Sequence, residues 1–122
     1  MDTVSVSIPA SPAYIQVVRL IASGLASRLR FTIDEIEDLK IAVDELCAYL
    51  TGSQGRDGTL DLDFRIEGSL LEIRGVGNFV AGQKARTELT EFSRMILETV
   101  ADSADLSQRD GTPTFTLVKS KQ

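Results

Sequence analysis

Residues 3–8, TVSVSI, alternate, with Val4, Val6 and Ile8 on one side; this is the two-residue period of a half-buried strand, and Pro9 closes it. Beyond Pro9 the period changes. Ile15, Val18, Ala22, Leu25 and Leu29 recur at helical spacing behind Pro12, a residue suited to a first helical position, and predict a helix over about 11–29. Thr32 and Glu35 have the spacing of a capping box, in which the threonine oxygen accepts a helix-end N–H and the glutamate reaches back to the cap's own N–H. A second helix therefore starts there, with Ile36, Leu39, Val43, Leu46 and Leu50 as its core stripe and Gly52 as the residue that ends it.

Residues 59–66, TLDLDFRI, put Leu60, Leu62, Phe64 and Ile66 on one face and Asp61, Asp63 and Arg65 on the other. That is an antiparallel strand signal, and EGS turns it into LLEIR as a hairpin. The two aspartates could be taken for a metal pair, but their alternation with core residues places them on a solvated sheet face. Leu89, Phe92, Ile96 and Val100 then repeat at helical spacing, with Glu88 and Glu91 in the first turn. ADLSQ and PTFTLVK, separated by the turn signal RDGT, form a closing hairpin. The element order predicts an α+β two-layer sandwich: a mainly antiparallel mixed sheet of about five strands with three helices on one face, in one domain over 1–122.

The totals narrow the chemistry. The chain has 122 residues and no histidine, which excludes Ser-His-Asp and Cys-His nucleophile systems and histidine-containing zinc sites. Any catalysis would have to run on carboxylates. A formal charge of -5 opposes binding to a phosphate backbone, and no segment is apolar over the length needed to span a bilayer, so a cytoplasmic protein is expected, with neither nucleic acid nor membrane as partner. The single cysteine, Cys47, falls one turn after Val43 and is expected to be a buried thiol.

One stretch departs from simple core filling. EDLKIAVDELCAYLTG carries Asp44 and Glu45 inside an apolar run, and Glu45 and Tyr49 form an i, i+4 pair, joined by Asp38 and Ala42, away from the Val43 stripe. The run DLKIAVDELCAYL, its place after a strand and a helix, and the hairpin and helix that follow resemble RsbW-like serine-kinase/anti-sigma proteins of the GHKL ATPase/kinase superfamily, in particular actinobacterial relatives with AVDE in this helix. The resemblance covers essentially the whole chain.

In that family this helix presents a glutamate that helps activate an attacking hydroxyl and, one turn later, an asparagine that holds Mg²⁺ against the ATP phosphates. Glu45 stands at the glutamate and Tyr49 at the asparagine. A phenol oxygen at the end of a rigid ring is a poor substitute for an amide oxygen that binds Mg²⁺ at about 2.1 Å. The family's next motif has an aspartate that reads adenine; here RGVGNF puts Gly75 at the aspartate and Gly77 at a retained glycine. Active members carry a glycine-rich lid before the last helix, whereas NFVAGQKARTELTEF has Gly82 alone, with Lys84 and Arg86 in an exposed loop.

The resemblance therefore implies an anti-sigma factor with a degenerate nucleotide site, Glu45 being a relic and no cofactor expected. It implies a sigma factor as partner, an antagonist as a second one, and a homodimer. The alternative is a Mg-ATP-dependent serine kinase acting on an antagonist of anti-sigma factors, with Glu45 as base; a third is an interaction module unrelated to transcription. Family partners dock on the first helix near a two-fold interface, which corresponds to Tyr14, Gln16 and Arg19. The acidic character would complement a basic, DNA-binding partner.

Overall fold

The computed structural model describes residues 2–80 and 83–122, so Gly82 of the lid segment lies outside the described residues. The elements run β1 (Asp2–Pro9), a short 3-10 turn (Pro12–Tyr14), α1 (Ile15–Arg28), α2 (Ile33–Thr51), β2 (Gly58–Glu67), β3 (Leu70–Phe79), α3 (Glu91–Val100), β4 (Ser103–Arg109) and β5 (Thr112–Ser120). The five strands form one sheet in the order β1-β2-β3-β5-β4. All four neighbouring pairs are antiparallel, so the mixed character expected from the sequence is absent among the described strands.

Local chemistry accounts for the helix ends. Ser11 accepts from the Ala13 N–H and Pro12 opens the 3-10 turn, so the first helix starts later than its apolar period suggests. At α2 both capping-box bonds form: the Thr32 N–H donates to Glu35 Oε1 at 2.7 Å, and the Glu35 N–H donates to Thr32 Oγ1 at 3.1 Å. Gly52 ends the helix at φ 67°, where a side chain would be strained. Arg56 covers the open carbonyls there, donating from Nε to the Leu50 oxygen at 2.8 Å.

The core lies between the helices and one sheet face. Val18, Leu39, Val43, Leu46 and Leu50 pack against Leu60, Leu62, Phe64, Leu71, Ile73, Phe115 and Leu117. The opposite sheet face is polar: Ser5 donates to Asp63 at 2.5 Å, Ser7 to Asp61 at 2.6 Å, and Asn78 also bonds Asp61. Asp61 and Asp63 thus accept from neighbouring strands, and among the described residues no acid, histidine or cysteine cluster could hold a metal. Lys119, although buried, is satisfied by the Val100 carbonyl at 2.9 Å and lies 4.0 Å from Asp38.

Two sequence expectations shift at the third helix. Its first turn begins at Glu91 with Thr90 as cap, leaving Glu88 outside. Its inward face is Ser93, Leu97 and Val100, whereas Phe92, expected in the core stripe, is 72% exposed. Ser93 faces inward because its hydroxyl finds partners on α2, which a phenyl ring could not use. Among the described residues no helix is long and apolar enough to cross a membrane.

Candidate functional site

α2 is buried on more than one side. Leu39, Val43, Leu46 and Leu50 meet the core, while Glu45 and Tyr49 turn to the start of α3. Asp44, one residue before Glu45, points the other way, to α1. The two acids inside the apolar run therefore serve different neighbours.

At the α3 end the polar groups form a continuous chain. The Thr90 N–H donates to Tyr49 Oη at 2.9 Å, the Tyr49 hydroxyl donates to Ser93 Oγ at 2.9 Å, and the Ser93 hydroxyl donates to Glu45 Oε2 at 2.7 Å. Thr90 Oγ1 in turn caps the helix by accepting from the Ser93 N–H at 3.1 Å. Each hydroxyl donates onward and accepts from behind, so the bonds polarise one another towards the carboxylate. Burial alone would raise the Tyr49 phenol's pKa, but its bonds with Ser93 and Thr90 outweigh burial and lower it from the ordinary tyrosine value.

The glycines of the sequence motif face aromatic rings. Gly75 lies inside β3, and a Cβ there would overlap the Phe115 ring; a Cβ on Gly77 would overlap the ring of Phe79. The Phe79 ring also meets Arg56, whose guanidinium carbon lies 5.6 Å from the ring centroid. An open cavity of about 380 Å³ at these strand ends is lined by Gly77, Asn78, Phe79, Gln83, Thr112 and Pro113 among others, none of them charged among the described residues. Lys84 and Arg86 are exposed on the segment that follows.

On α1, Tyr14 is 44% exposed and Gln16 is exposed, but Arg19 is engaged. Its Nε lies 2.8 Å from Asp44 Oδ1, tying α1 to α2. Burial raises the Asp44 pKa, and the Arg19 charge opposes that shift only in part. Cys47 is buried and its thiol is pushed up to about 12, chiefly by burial and then by Asp44, which leaves it protonated and inert.

The structure thus brings Glu45 and Tyr49 into one cluster, places Gly75 and Gly77 in a separate aromatic one, and leaves Tyr14 and Gln16 on an open helix face. Sequence reasoning missed Thr90, Ser93, Arg56, Phe79 and Phe115. For Thr90 a signal existed, since a threonine just before an apolar periodic run is a cap signature. The other four act through contacts between elements, which local spacing does not encode.

No family model matches the chain. Its sequence is 41% identical over 78 residues to the serine-protein kinase RsbW of Bacillus pumilus, covering 60% of this chain and 48% of that protein. It is 39% identical over 75 residues to the RsbW of Bacillus subtilis, covering 59% and 47% respectively. The chain spans about half the length of these relatives. Among solved structures, the RsbU and RsbW domains of Rv1364c from Mycobacterium tuberculosis superpose with a TM-score of 0.70 at 15% identity, covering 98% of this chain and 32% of that one. In sequence the chain is similar to RsbW serine-protein kinases over part of its length, and it shares its fold with part of the Mycobacterium tuberculosis structure that holds the RsbU and RsbW domains.

Proposed function

We propose that this chain is an anti-sigma factor that binds and sequesters an alternative sigma factor of the stress or sporulation type without using ATP. The observation that carries the reading is the chain from Thr90 through Tyr49 and Ser93 to Glu45. The N–H of the α3 cap, a group able to meet a phosphate oxygen, already donates to a phenol, and the carboxylate suited to a base already accepts from a serine. The residues present do not fit a magnesium nucleotide. The phenol cannot replace the amide ligand, and no carboxylate stands at position 75, where the Phe115 ring occupies the space a side chain would need. An intact scaffold around a site that lacks these nucleotide-holding groups suits a protein whose work is surface recognition.

On this reading Tyr14, Gln16 and Arg19 contact the sigma factor, an antagonist releases it, and the chain acts as a single GHKL-like domain, dimeric and cytoplasmic. The alternative, a serine kinase acting on the antagonist, is favoured by Glu45, which keeps the family's carboxylate, and by the relatives' description as serine-protein kinases. Purified chain mixed with the alternative sigma factors of its native host, followed by gel filtration with and without Mg-ATP, separates the two. Co-elution unaffected by nucleotide is expected. Micromolar Mg-ATP affinity, or phosphate transfer to an antagonist serine that Glu45→Gln abolishes, would establish the kinase instead.

A further inference from the structure

The face where α2 and α3 meet solvent carries large apolar side chains with no cover in the fold. Phe92 is 72% exposed, Met95 61% and Ile41 45%. Together with Ile96, Thr99 and Val100 they line an open groove of about 390 Å³, enough for one or two large apolar side chains from outside. Single exposed apolar residues need no explanation, but a contiguous groove between two helices marks a contact surface.

The two helices that form the groove are strongly acidic as a whole. Residues 33–51 and 88–100 hold nine acidic side chains against two basic ones, a formal charge of -7 within a chain whose total is -5; the rest of the molecule is therefore weakly positive. The acids bracket the apolar residues along each helix. Asp38 and Glu45 lie one turn either side of Ile41, and Glu91 and Glu98 lie one turn either side of Met95. Glu91 and Glu98 are exposed and have no ion-pair partner among the described residues.

We infer that this groove docks a basic amphipathic helix of a partner protein, one that presents leucine-sized side chains at i, i+3 or i+4 and i+7 and lysine or arginine beside them. The apolar groove supplies the anchor and the acidic helices select the charge of what enters. A second copy of this chain is disfavoured as occupant, because a self-complementary contact through these helices would set acids against acids. The same charge disfavours nucleic acid and an anionic membrane. This surface lies on α2 and α3, apart from the α1 face assigned to the sigma factor above, and does not depend on that assignment.

The probe is a fluorescein-labelled peptide of about 18 residues built from leucine and lysine with leucines on one helical face, titrated into the full chain and followed by anisotropy. A scrambled peptide of the same composition serves as comparison. The amphipathic peptide is expected to bind about tenfold or more tightly than the scrambled one, and Phe92→Ser/Met95→Ser to lose about tenfold with an unchanged melting temperature. Leu20→Ser, on the exposed side of α1, is expected to leave binding unchanged. Equal binding of both peptides would reduce the effect to net charge and overturn the proposal. So would an unaffected Phe92→Ser/Met95→Ser variant, or a loss seen with Leu20→Ser instead. Sedimentation showing a dimer that this double variant dissolves would give the groove to a second copy of the chain.

Discussion

Tyr49 and Ser93, 44 positions apart, share a hydrogen bond of 2.9 Å that joins the last turns of α2 to the first turn of α3. Tyr49→Phe keeps the ring and removes the oxygen, leaving the Thr90 N–H without its phenol acceptor. It is expected to destabilise the fold by about 1–2 kcal/mol, the usual cost of a part-buried hydrogen bond whose partner loses its mate. Denaturant unfolding of Tyr49→Phe, Ser93→Ala and the double variant measures this directly. The double variant should lose less than the sum of the singles, because each single change already breaks the chain. Strict additivity would mean that the two hydroxyls act independently.

Gly75 is glycine because of Phe115. Gly75→Ala adds one methyl against that ring, and overpacking in a close-packed core is expected to cost about 1–3 kcal/mol. Gly75→Asp, which restores the carboxylate of active family members, is expected to be more damaging and to bring no measurable Mg-ATP affinity. Thermal melts and calorimetric titration of both variants check this. Nucleotide binding gained by Gly75→Asp alone would show that the Phe115 ring yields readily.

Glu35 links stability to acid. Its carboxylate is held below its ordinary value of 4.5, first by the Thr32 N–H and next by the N–H of Gln122, with Lys121 adding attraction. A lowered folded-state pKa means that the stabilisation is fully present above the unfolded value and is lost as pH falls through the folded one. Unfolding midpoints of wild type and Glu35→Gln should therefore differ at neutral pH and converge as pH drops below about 4.5. A gap that persists in acid would assign the difference to packing.

Arg19 and Asp44 test the α1 surface. The pair is partly exposed, with side chains 39% and 50% accessible, so its net contribution is expected to be only about 0–1 kcal/mol. Arg19→Glu sets two acids together and should cost slightly more, and adding Asp44→Arg should recover most of the loss by reversing the pair. If Arg19 also meets a sigma factor, affinity should stay low in the swapped protein although stability returns. Binding that recovers along with stability would make Arg19 a helix tie alone.

How far the chain could be read follows from the range of the forces involved. The capping box at Thr32 and Glu35, the stop at Gly52 and the alternation through Leu60, Leu62 and Phe64 are contests between near neighbours, and spacing decides them. Phe92 and Ser93 are different. Periodicity puts the phenyl inside, yet the buried position goes to the serine, because Tyr49 and Glu45 offer it two hydrogen bonds from another helix. The Arg19–Asp44 pair was hidden for the same reason: both read as surface residues until α1 and α2 are laid side by side. At Gly75 the family likeness points to the position, but nothing in the adjacent residues reveals that a ring from β5 fills it.

Lys119 gives α3 a further property. A helix carries about half a positive elementary charge at its start and half a negative one at its end, and each is free to attract a ligand only while its terminal groups are open. At the start the phenol meets the Thr90 N–H and Thr90 Oγ1 meets the Ser93 N–H; at the end a buried ammonium sits on the Val100 carbonyl. Part of each pole of this macrodipole is thus met inside the protein itself. A phosphate that took the Thr90 N–H would displace Tyr49 and so loosen the tie between α3 and α2. Anion binding at that N–H would be thermodynamically coupled to loosening of the helix that carries Phe92 and Met95.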